Sequence, residues 1–317
     1  MNARRAPSPT QSASYRGRFA PSPTGPLHFG SLIAALGSCL EARVQGGEWR
    51  VRIEDVDLPR CQPGADRQIL ETLEACGFTW DGAVLHQAQR TVQYRVALAQ
   101  LKSSGAVFAC ACTRKELADS AVATDGAQRY PGTCRLGLPG TKTARAWRLA
   151  VADESIAFDD AIQGRVAQNL ARDVGDFVLL RADGLFAYQL AVVVDDAGQG
   201  ITHVVRGADL LESTLRQIYL QRCLGLPTPA YAHLPMVVNP AGEKLSKQTL
   251  AAPIDPARPV PALVAALSLL GQSPPADLMQ SSVTDIWSWA IQHWKLSRVP
   301  RQRSLTLPDY SRYSCPP

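Results

Sequence analysis

Residues 15–55 read YRGRFAPSPTGPLHFGSLIAALGSCLEARVQGGEWRVRIED, and their pattern predicts a strand, a loop, a helix and a second strand. YRGRFA has strand character, PSPTGPLHFG is a loop marked by proline and glycine, and SLIAALGSCLEARVQ has the spacing of an amphipathic helix. After the turn GGEW, the stretch WRVRIED alternates polar and apolar residues as a half-buried strand does. This order predicts the first βαβ unit of a nucleotide-binding α/β fold.

The loop between the first strand and the helix has the features of a phosphate-binding site. Backbone N–H groups are exposed where a helix begins, and they attract anions. Gly25 and Gly30 allow a ligand to approach the backbone closely, and His28 can donate a hydrogen bond to a phosphate oxygen. A loop histidine is often only solvated, but the strand–loop–helix context favours a functional role for His28.

A second candidate segment, Lys244-Leu-Ser-Lys247-Gln248, follows the apolar run HLPMVV. Two lysines on a polar loop can place mobile ammonium charges on a triphosphate and on its transition state. Two lysines on their own usually belong to a solvated surface. The functional interpretation depends on their meeting the loop of His28 in the fold.

The 317-residue chain has 46% hydrophobic and 19% charged residues, which is typical of a globular protein with about two domains. No apolar stretch approaches the roughly 18 residues that span a bilayer, so we expect no membrane-spanning segment and no membrane partner. The basic start MNARRAPSPTQSAS has no apolar core and does not predict a secretory signal. We expect a cytoplasmic monomer.

The formal net charge of +5 is unevenly distributed. Residues 1–18 carry four arginines and no acid, and residues 295–317 carry five basic residues against one acid. The segment between them is therefore mildly acidic. Basic ends are compatible with binding a polyanion, and equally with tails that arginine keeps solvated.

Beyond the first unit, the sequence predicts further helices and strands. ADRQILETLEACGF, TVQYRVALAQLKSSG and ADLLESTLRQIYLQRCLG have helical spacing. Residues 176–207 hold three strand-like runs, of which FAYQLAVVVDD is the second, with a hairpin-like ADG between the first two. We predict five regions: a disordered arm (1–14), the first half of a Rossmann-type catalytic domain (15–105), an inserted zinc-binding module (106–172), the second half of the catalytic domain (173–249) and a helical C-terminal region (250–317).

Three of the eight cysteines form a candidate metal site in the irregular module. Cys110 and Cys112 are two residues apart on an extended segment, so their side chains point the same way. Tyr130 and Cys134 follow on a loop rich in glycine and proline, and the module contains no histidine. Because tetrahedral zinc takes four ligands, we predict these four residues as the set. The alternative is three reduced thiols in a loosely packed module.

Several of these motifs together resemble a known family. PSPTGPLHFGS is similar to the HIGH region of class I aminoacyl-tRNA synthetases, and KLSKQ is similar to their KMSKS loop. RFAPSPTGPLHFGSL, RIEDVDLPR, FAYQLAVVVDD and VVRGADLLEST resemble the glutamyl-tRNA synthetases in particular. The resemblance runs from about Arg18 to Gln248 and implies a class I synthetase catalytic domain that uses ATP and Mg²⁺. It also supports the predicted zinc ligands.

Length separates two branches of this family. Glutamyl-tRNA synthetases continue beyond the KMSKS loop into a large domain that reads the anticodon, whereas here about 70 residues follow Gln248. In this respect the chain is similar to a short branch of the family. That similarity implies activation of L-glutamate with ATP without tRNA. It further implies transfer of the glutamate to queuosine at the wobble position, in the anticodon stem-loop of tRNA(Asp).

The resemblance implies roles for individual residues. It places His28 and Lys247 in catalysis, and it places glutamate at Arg18, Phe19, Ala20, Pro21, Ser22, Glu54, Tyr188 and Arg206. ATP is expected at Gly25, His28, Gly30, Ser31, Lys244 and Lys247. Arginine forks suit the two carboxylates of glutamate, Glu54 suits its ammonium group, and Tyr188 can supply a hydroxyl and a wall.

Three of these residues also have an ordinary interpretation. Glu54 could form a surface salt bridge with Arg52 or Arg60, Arg206 could cap a helix or form a structural ion pair, and Tyr188 could be a core residue.

Three other functions stay open at this point. A truncated glutamyl- or glutaminyl-tRNA synthetase would charge a tRNA 3′ end. A small-molecule nucleotidyltransferase would use a similar loop, but such enzymes usually keep a second histidine where this chain has Ser31. A tRNA-binding protein without activity is the third, and intact His28 and Lys247 argue against it.

Overall fold

The computed structural model of the protein describes residues 14–117, 129–239, 242 and 253–306. The predicted N-terminal arm lies outside the described residues except for Ser14. The segment that contains Lys244 and Lys247 also lies outside them.

The described strands and helices follow one another in a mixed α/β order. The strands are β1 (Arg16–Phe19), β2 (Glu48–Ile53), β3 (Leu85–His86), β4 (Val107–Cys110), β5 (Ala146–Leu149), β6 (Ser155–Asp160), β7 (Gly164–Asn169), β8 (Phe177–Leu180), β9 (His203–Gly207), β10 (Ala230–Leu234), β11 (Met236–Val238) and β12 (Ser304–Thr306). The helices are α1 (Phe29–Val44), α2 (Ala65–Ala75), α3 (Thr91–Ser103), α4 (Arg114–Leu117), α5 (Leu170–Asp173), α6 (Tyr188–Gly198), α7 (Leu211–Leu224), α8 (Pro259–Leu269) and α9 (Val283–His293).

The predicted βαβ unit is formed by β1, α1 and β2. The two strands are parallel, with Arg16 opposite Glu48 in the register. α1 packs closely over β10 because Gly37 has no side chain, and a Cβ atom there would lie 2.6 Å from Cδ1 of Leu234. The structure confirms the strand, loop, helix and strand predicted for residues 15–55.

Two sheets meet at β1 and β9. The first has the order β1-β2-β3, and the second has the order β7-β6-β10-β9. β9 and β10 are parallel, and the backbone N–H of Thr202, just before β9, donates to the carbonyl oxygen of Arg16 over 3.0 Å. The strand ends of both sheets thereby reach one edge, which is where open α/β folds bind ligands.

One of the three strands predicted in residues 176–207 is a helix. The sequence predicts a strand for FAYQLAVVVDD, but residues 188–198 form α6. The prediction is wrong because residues 190–193 are all buried, and an apolar run that is buried on every side has no period that separates helix from strand. The expected turn is present, since the N–H of Gly184 donates to the carbonyl oxygen of Arg181.

The region predicted as an insertion contributes strands to two sheets. β4 and β5 pair with each other in antiparallel fashion, and β5 pairs with β8. The hairpin of β6 and β7 instead extends the second sheet, with Asp160 of β6 opposite Tyr231 of β10. The hairpin therefore belongs structurally with the sheet that contains β9 and β10. The predicted domain boundaries stay a prediction.

The C-terminal helices pack against the first βαβ unit. The indole N–H of Trp294 donates to Glu41 of α1 over 2.7 Å, and that of Trp287 donates to the carbonyl oxygen of Cys76 over 2.8 Å. Beyond these helices, β12 pairs in parallel with β11. None of the described helices is long and apolar enough to cross a membrane.

Candidate active site and metal centre

A pocket of about 470 Å³ lies where β1 and β9 end and α1 begins. Most of the residues predicted for the site line it: Arg18, Phe19, Ala20, Pro21, Ser22, His28, Gly30, Ser31, Glu54, Tyr188 and Arg206. Gly25 is not among the lining residues. Residues from the N-terminal quarter of the chain therefore meet residues from its second half in one cavity.

The N-terminal end of α1 faces this pocket. His28 is the N-cap residue, and its Nδ1 accepts a hydrogen bond from the backbone N–H of Ser31 over 3.2 Å. An accepting Nδ1 carries no proton, so in the neutral ring Nε2 carries it, 3.0 Å from Oγ of Ser31. Gly30 in the first turn also lines the cavity. Helix N–H groups and an imidazole N–H together suit an anion such as phosphate.

Behind the pocket, one carboxylate holds two guanidinium groups. Oδ1 of Asp196 accepts from Nε of Arg18 over 3.1 Å and from Nη2 of Arg52 over 2.7 Å. The Asp196 side chain is only 7% exposed. Although burial disfavours its charge, the two arginines hold the pKa of Asp196 below its ordinary value. Sequence reasoning missed this role of Asp196.

Glu54 lies beside the same arginines, but its carboxyl charge is less well compensated by them than the charge of Asp196. Its Oε1 is 3.7 Å from Nη2 of Arg52 and has no hydrogen-bond partner among the described residues. Burial raises the pKa of Glu54 to about 7, against the opposing effect of the neighbouring arginines. The alternative of a salt bridge with Arg52 thus holds in part, but the pair is buried rather than on the surface. A bound cation would restore the charge of this carboxyl group.

Arg206 reaches the pocket from β9 and is anchored by neutral groups. Its Nη2 donates to Thr214 and Gln217, each over 2.8 Å, and its Nε donates to Nε2 of His233 over 3.1 Å. Nη1 contacts the hydroxyl of Tyr188 at 3.4 Å. The structural ion pair considered for Arg206 is not found with any described carboxylate, so its charge is available to a ligand.

The described residues on both sides of the Lys244–Lys247 segment lie at the pocket. Met236 and Val237 line it before the segment, and Pro253 after the segment forms a β-bridge with His28. The backbone N–H of Ile254 also donates to the carbonyl oxygen of Leu27 over 2.9 Å. The placement of the two lysines themselves stays a prediction.

Sequence reasoning missed several residues in or behind this pocket. Thr24, Asp57, Arg60 and Asp209 also line the cavity. The signal that could have indicated Asp196 is the pair of adjacent aspartates that ends the apolar run LAVVV, because buried carboxylates require charged or hydrogen-bonding partners.

The predicted metal ligands lie together in the structure. The Sγ atoms of Cys110, Cys112 and Cys134 are all within 4.8 Å of one another. Sγ of Cys112 lies 3.6 Å from Sγ of Cys134, and the Tyr130 oxygen lies 3.5 and 3.7 Å from the sulfurs of Cys110 and Cys112. Ligands about 2.3 Å from zinc at the corners of a tetrahedron are about 3.8 Å apart. The spacing therefore fits one zinc ion.

A buried arginine supports this cluster. Nε of Arg148 lies 3.4 Å from Sγ of Cys110, and its guanidinium carbon lies 4.0 Å from the ring centre of Tyr130. The backbone N–H of Cys134 donates to the Tyr130 hydroxyl oxygen over 2.8 Å. Although burial opposes the charge, the hydrogen bonds from Tyr130 and Arg148 lower the pKa of Cys110 and so favour the thiolate, the form that binds a metal. Burial raises the pKa of Tyr130, so its phenolate would form only with the metal bound.

Comparison with known proteins settles the family. Residues 14–277 match the family described as "tRNA synthetases class I (E and Q), catalytic domain". The chain belongs to the class I (E and Q) tRNA synthetases. As an enzyme of this ligase family, it has the fold class predicted from its motifs.

Two relatives of this synthetase share one name. It is 62% identical to the glutamyl-Q tRNA(Asp) synthetase of Dechloromonas aromatica (strain RCB) over 93% of this chain and 98% of the relative. It is 58% identical to the glutamyl-Q tRNA(Asp) synthetase of Thiobacillus denitrificans (strain ATCC 25259 / T1) over 90% and 94% of the two chains.

The synthetase is also similar to a solved structure with an amino acid bound. The glutamate tRNA ligase from Elizabethkingia meningosepticum CCUG26117, in complex with its amino acid, is 27% identical with a TM-score of 0.75. The match covers 92% of this chain and 67% of that one. The two folds thus agree over nearly the whole length of this synthetase.

Proposed function

We propose that this synthetase activates L-glutamate with ATP, without tRNA, and transfers it to queuosine at the wobble position of tRNA(Asp). One observation carries the proposal: the residues suited to bind an acidic amino acid and the N-terminal end of α1 line the same cavity. The name shared by relatives that this chain matches over nearly their full length supports the tRNA substrate.

The charges around the pocket suit glutamate. Arg18 and Arg206 line it with guanidinium groups and Glu54 lines it with a carboxyl group, beside Asp57, Arg60 and Asp209. Glutamate carries two carboxylates and one ammonium group, so each of its charged groups can meet a group of opposite charge. Arg18 and Arg206 would bind the carboxylates, while Glu54 would accept the ammonium group and regain its own charge.

The N-terminal end of α1 would bind the nucleotide. In adenylation an oxygen of the glutamate α-carboxylate attacks the α-phosphorus of ATP, the bond to the β-phosphate oxygen breaks, and pyrophosphate leaves. This step transfers no proton, so it needs alignment and charge stabilisation rather than a general base. His28, Gly30 and Ser31 would hold phosphate oxygens, and Lys244 and Lys247 would neutralise the triphosphate. Mg²⁺, bound to the ATP phosphates, would add positive charge.

In the second step a hydroxyl group of queuosine attacks the carbonyl carbon of the adenylate. A new ester bond forms, the bond to the AMP phosphate breaks, and the hydroxyl proton passes to water. The opening of the pocket would therefore have to admit a base from an anticodon loop. We propose that the synthetase binds that stem-loop as a monomer in the cytoplasm.

The cysteine cluster would hold one structural zinc ion. Cys110, Cys112 and Cys134 supply thiolates and Tyr130 supplies a phenolate oxygen at tetrahedral spacing. Zinc at this point would fix the loop that carries Tyr130 and Cys134 against the end of β4, in a part of the chain with a small core of its own.

Mass spectrometry of nucleosides tests the proposed transfer. tRNA(Asp) that contains queuosine is incubated with the synthetase, ATP and labelled glutamate, and is then digested. We expect glutamyl-queuosine to appear, and we expect no label on matched tRNA(Asp) that lacks queuosine. Equal labelling of both tRNAs, released from the 3′-terminal adenosine, would instead indicate a truncated synthetase that charges 3′ ends.

A further inference from the structure

A chain of three buried side chains leads from β6 to the pocket wall. Asp160 at the end of β6, His233 on β10 and Arg206 on β9 are all less than 5% exposed. Oδ2 of Asp160 lies 2.6 Å from Nδ1 of His233, and Nε2 of His233 lies 3.1 Å from Nε of Arg206. The chain connects the hairpin of β6 and β7 to a guanidinium group that lines the pocket.

The partners of His233 determine which ring nitrogen carries its proton. Nε of Arg206 can only donate, so Nε2 of His233 must accept and carries no proton. Nδ1 then carries the proton of the neutral ring and donates it to Asp160. Burial lowers the pKa of His233 to about 4 despite the opposing effect of Asp160, so the ring is neutral at neutral pH.

Asp160 is itself fixed in orientation. Its Oδ1 accepts from the backbone N–H groups of Ile162, Gln163 and His233 over 3.0, 2.8 and 3.1 Å. Rotation of the carboxylate would sacrifice these three hydrogen bonds, so Oδ2 is held toward the imidazole ring. Although burial disfavours the charge, the hydrogen bonds from His233 and the backbone keep the pKa of Asp160 below its ordinary value.

The ring completes a neutral cage around one side of Arg206. Its Nε and Nη2 atoms donate to His233, Thr214 and Gln217, which occupies three of the five N–H groups. Nη1 lies 3.4 Å from the hydroxyl oxygen of Tyr188, another residue of the pocket lining. Because an imidazole acceptor is neutral, it orients the guanidinium group without compensating its charge.

We propose that Asp160 and His233 are positioning residues, which aim Nη1 of Arg206 at a carboxylate of bound glutamate. Asp160 selects the tautomer of His233, and His233 in turn holds Nε of Arg206. The inference rests on the proposed function, because it takes the ligand of Arg206 to be a glutamate carboxylate.

Asp160→Asn tests the tautomer. The three backbone N–H groups keep the amide oxygen of the new side chain on their side, so its NH₂ group faces Nδ1 of His233. The ring must then carry its proton on Nε2, where Oγ1 of Thr214, 3.1 Å away, can accept it, but where Nε–H of Arg206 loses its acceptor. In tRNA-free ATP–pyrophosphate exchange we expect the KM for glutamate to rise about 10- to 100-fold, as for a lost hydrogen bond to a charged group. The KM for ATP should stay unchanged.

His233→Gln separates positioning from packing. The amide oxygen of glutamine can accept from Nε of Arg206 as Nε2 does, while its NH₂ group can donate to Asp160. We therefore expect His233→Gln to keep the KM for glutamate close to wild type, whereas His233→Leu, which offers no acceptor, should raise it. A purely structural role predicts that both substitutions raise the KM alike. Asp159→Asn, at an exposed neighbour, is the matched control.

Nitrogen-15 NMR of ring-labelled histidine reports the tautomer directly. The chain has only five histidines, so the signal that is lost in His233→Gln can be assigned to His233. We expect Nδ1–H in the wild type and Nε2–H in Asp160→Asn. Should Asp160→Asn fail to fold, His233→Leu must raise the KM for glutamate where His233→Gln does not. An unchanged KM for glutamate in Asp160→Asn, or equal KM values in His233→Gln and His233→Leu, would overturn the positioning role. Absence of glutamate-dependent exchange in the wild type would overturn the proposed function instead, while the tautomer could still be measured.

Discussion

Nε of Arg18 donates to Oδ1 of Asp196 over 3.1 Å, and this bond joins β1 to a residue 178 positions further along the chain. The same oxygen accepts from Nη2 of Arg52 over 2.7 Å. Asp196 is not among the residues that line the pocket, yet it holds an arginine that does. The orientation of the pocket wall therefore depends on a carboxylate behind it.

Asp196→Asn should destabilise the protein and weaken glutamate binding together. Loss of the carboxylate leaves two buried guanidinium groups without their shared counter-charge, which costs about 3–5 kcal/mol. Urea unfolding measures the free energy of unfolding, with Asp159→Asn as an exposed control that should change little. Equal stabilities of the two variants would show that Asp196 does not hold the arginines.

Glu54→Gln should increase stability while it abolishes glutamate activation. The pKa of Glu54 is raised from 4.5 to about 7 by burial, so ionising it in the folded state at pH 8 costs about 3 kcal/mol relative to the unfolded chain. The free energy of unfolding of the wild type therefore falls by up to this amount as the pH rises from 4.5 to about 7. The glutamine variant has no such loss, because its side chain does not ionise. The difference in free energy of unfolding should thus be small at pH 5 and larger at pH 8.

Glu48→Gln is the matched control for this pH dependence. Arg16 and Arg50 donate hydrogen bonds to Glu48 and lower its pKa, so its charge favours folding above its ordinary pKa. We expect this variant to gain no stability at high pH. A Glu54→Gln variant that behaves in the same way would refute the burial effect.

Lys247→Ala should slow glutamate-dependent exchange by roughly 10²–10³-fold, if its ammonium group stabilises the transition state of adenylation. The KM for glutamate should be little affected, because the proposal assigns the amino acid to Arg18, Arg206 and Glu54. Lys102→Ala, on α3 and outside the pocket lining, serves as the control. Wild-type exchange in the Lys247 variant would remove this residue from the mechanism.

Cys112→Ser should release the zinc ion. Elemental analysis of the purified wild type should find one zinc per chain, and the variant should contain much less and unfold at a lower temperature. Cys223→Ser alters a thiol outside the cluster and should keep the metal. A wild-type protein that never binds zinc, with a melting temperature that chelator does not change, would favour three ordinary thiols.

Local signals explain why the first βαβ unit could be predicted. The loop of residues 21–30 is rich in proline and glycine, His28 immediately precedes a regular amphipathic helix, and WRVRIED alternates. Each feature acts within a few residues, so no knowledge of distant contacts is needed. The spacing of Cys110 and Cys112 is equally local, and the structure brings Tyr130 and Cys134 to them as predicted.

Contacts between distant residues explain what could not be predicted. Asp196 lies in a stretch taken for a strand, because the run of buried valines before it has no helical period. Asp160 and His233 are 73 residues apart and meet only through the pairing of β6 with β10. Nothing in the sequence near either residue indicates that both serve Arg206.

ATP–pyrophosphate exchange without tRNA tests the central claim most directly. We predict exchange that requires L-glutamate, is weak with aspartate or glutamine, and falls at least about tenfold in Arg206→Lys, whose ammonium group cannot reproduce the guanidinium fork. No glutamate-dependent exchange at saturating substrate, with or without tRNA, would contradict the claim that this pocket activates glutamate.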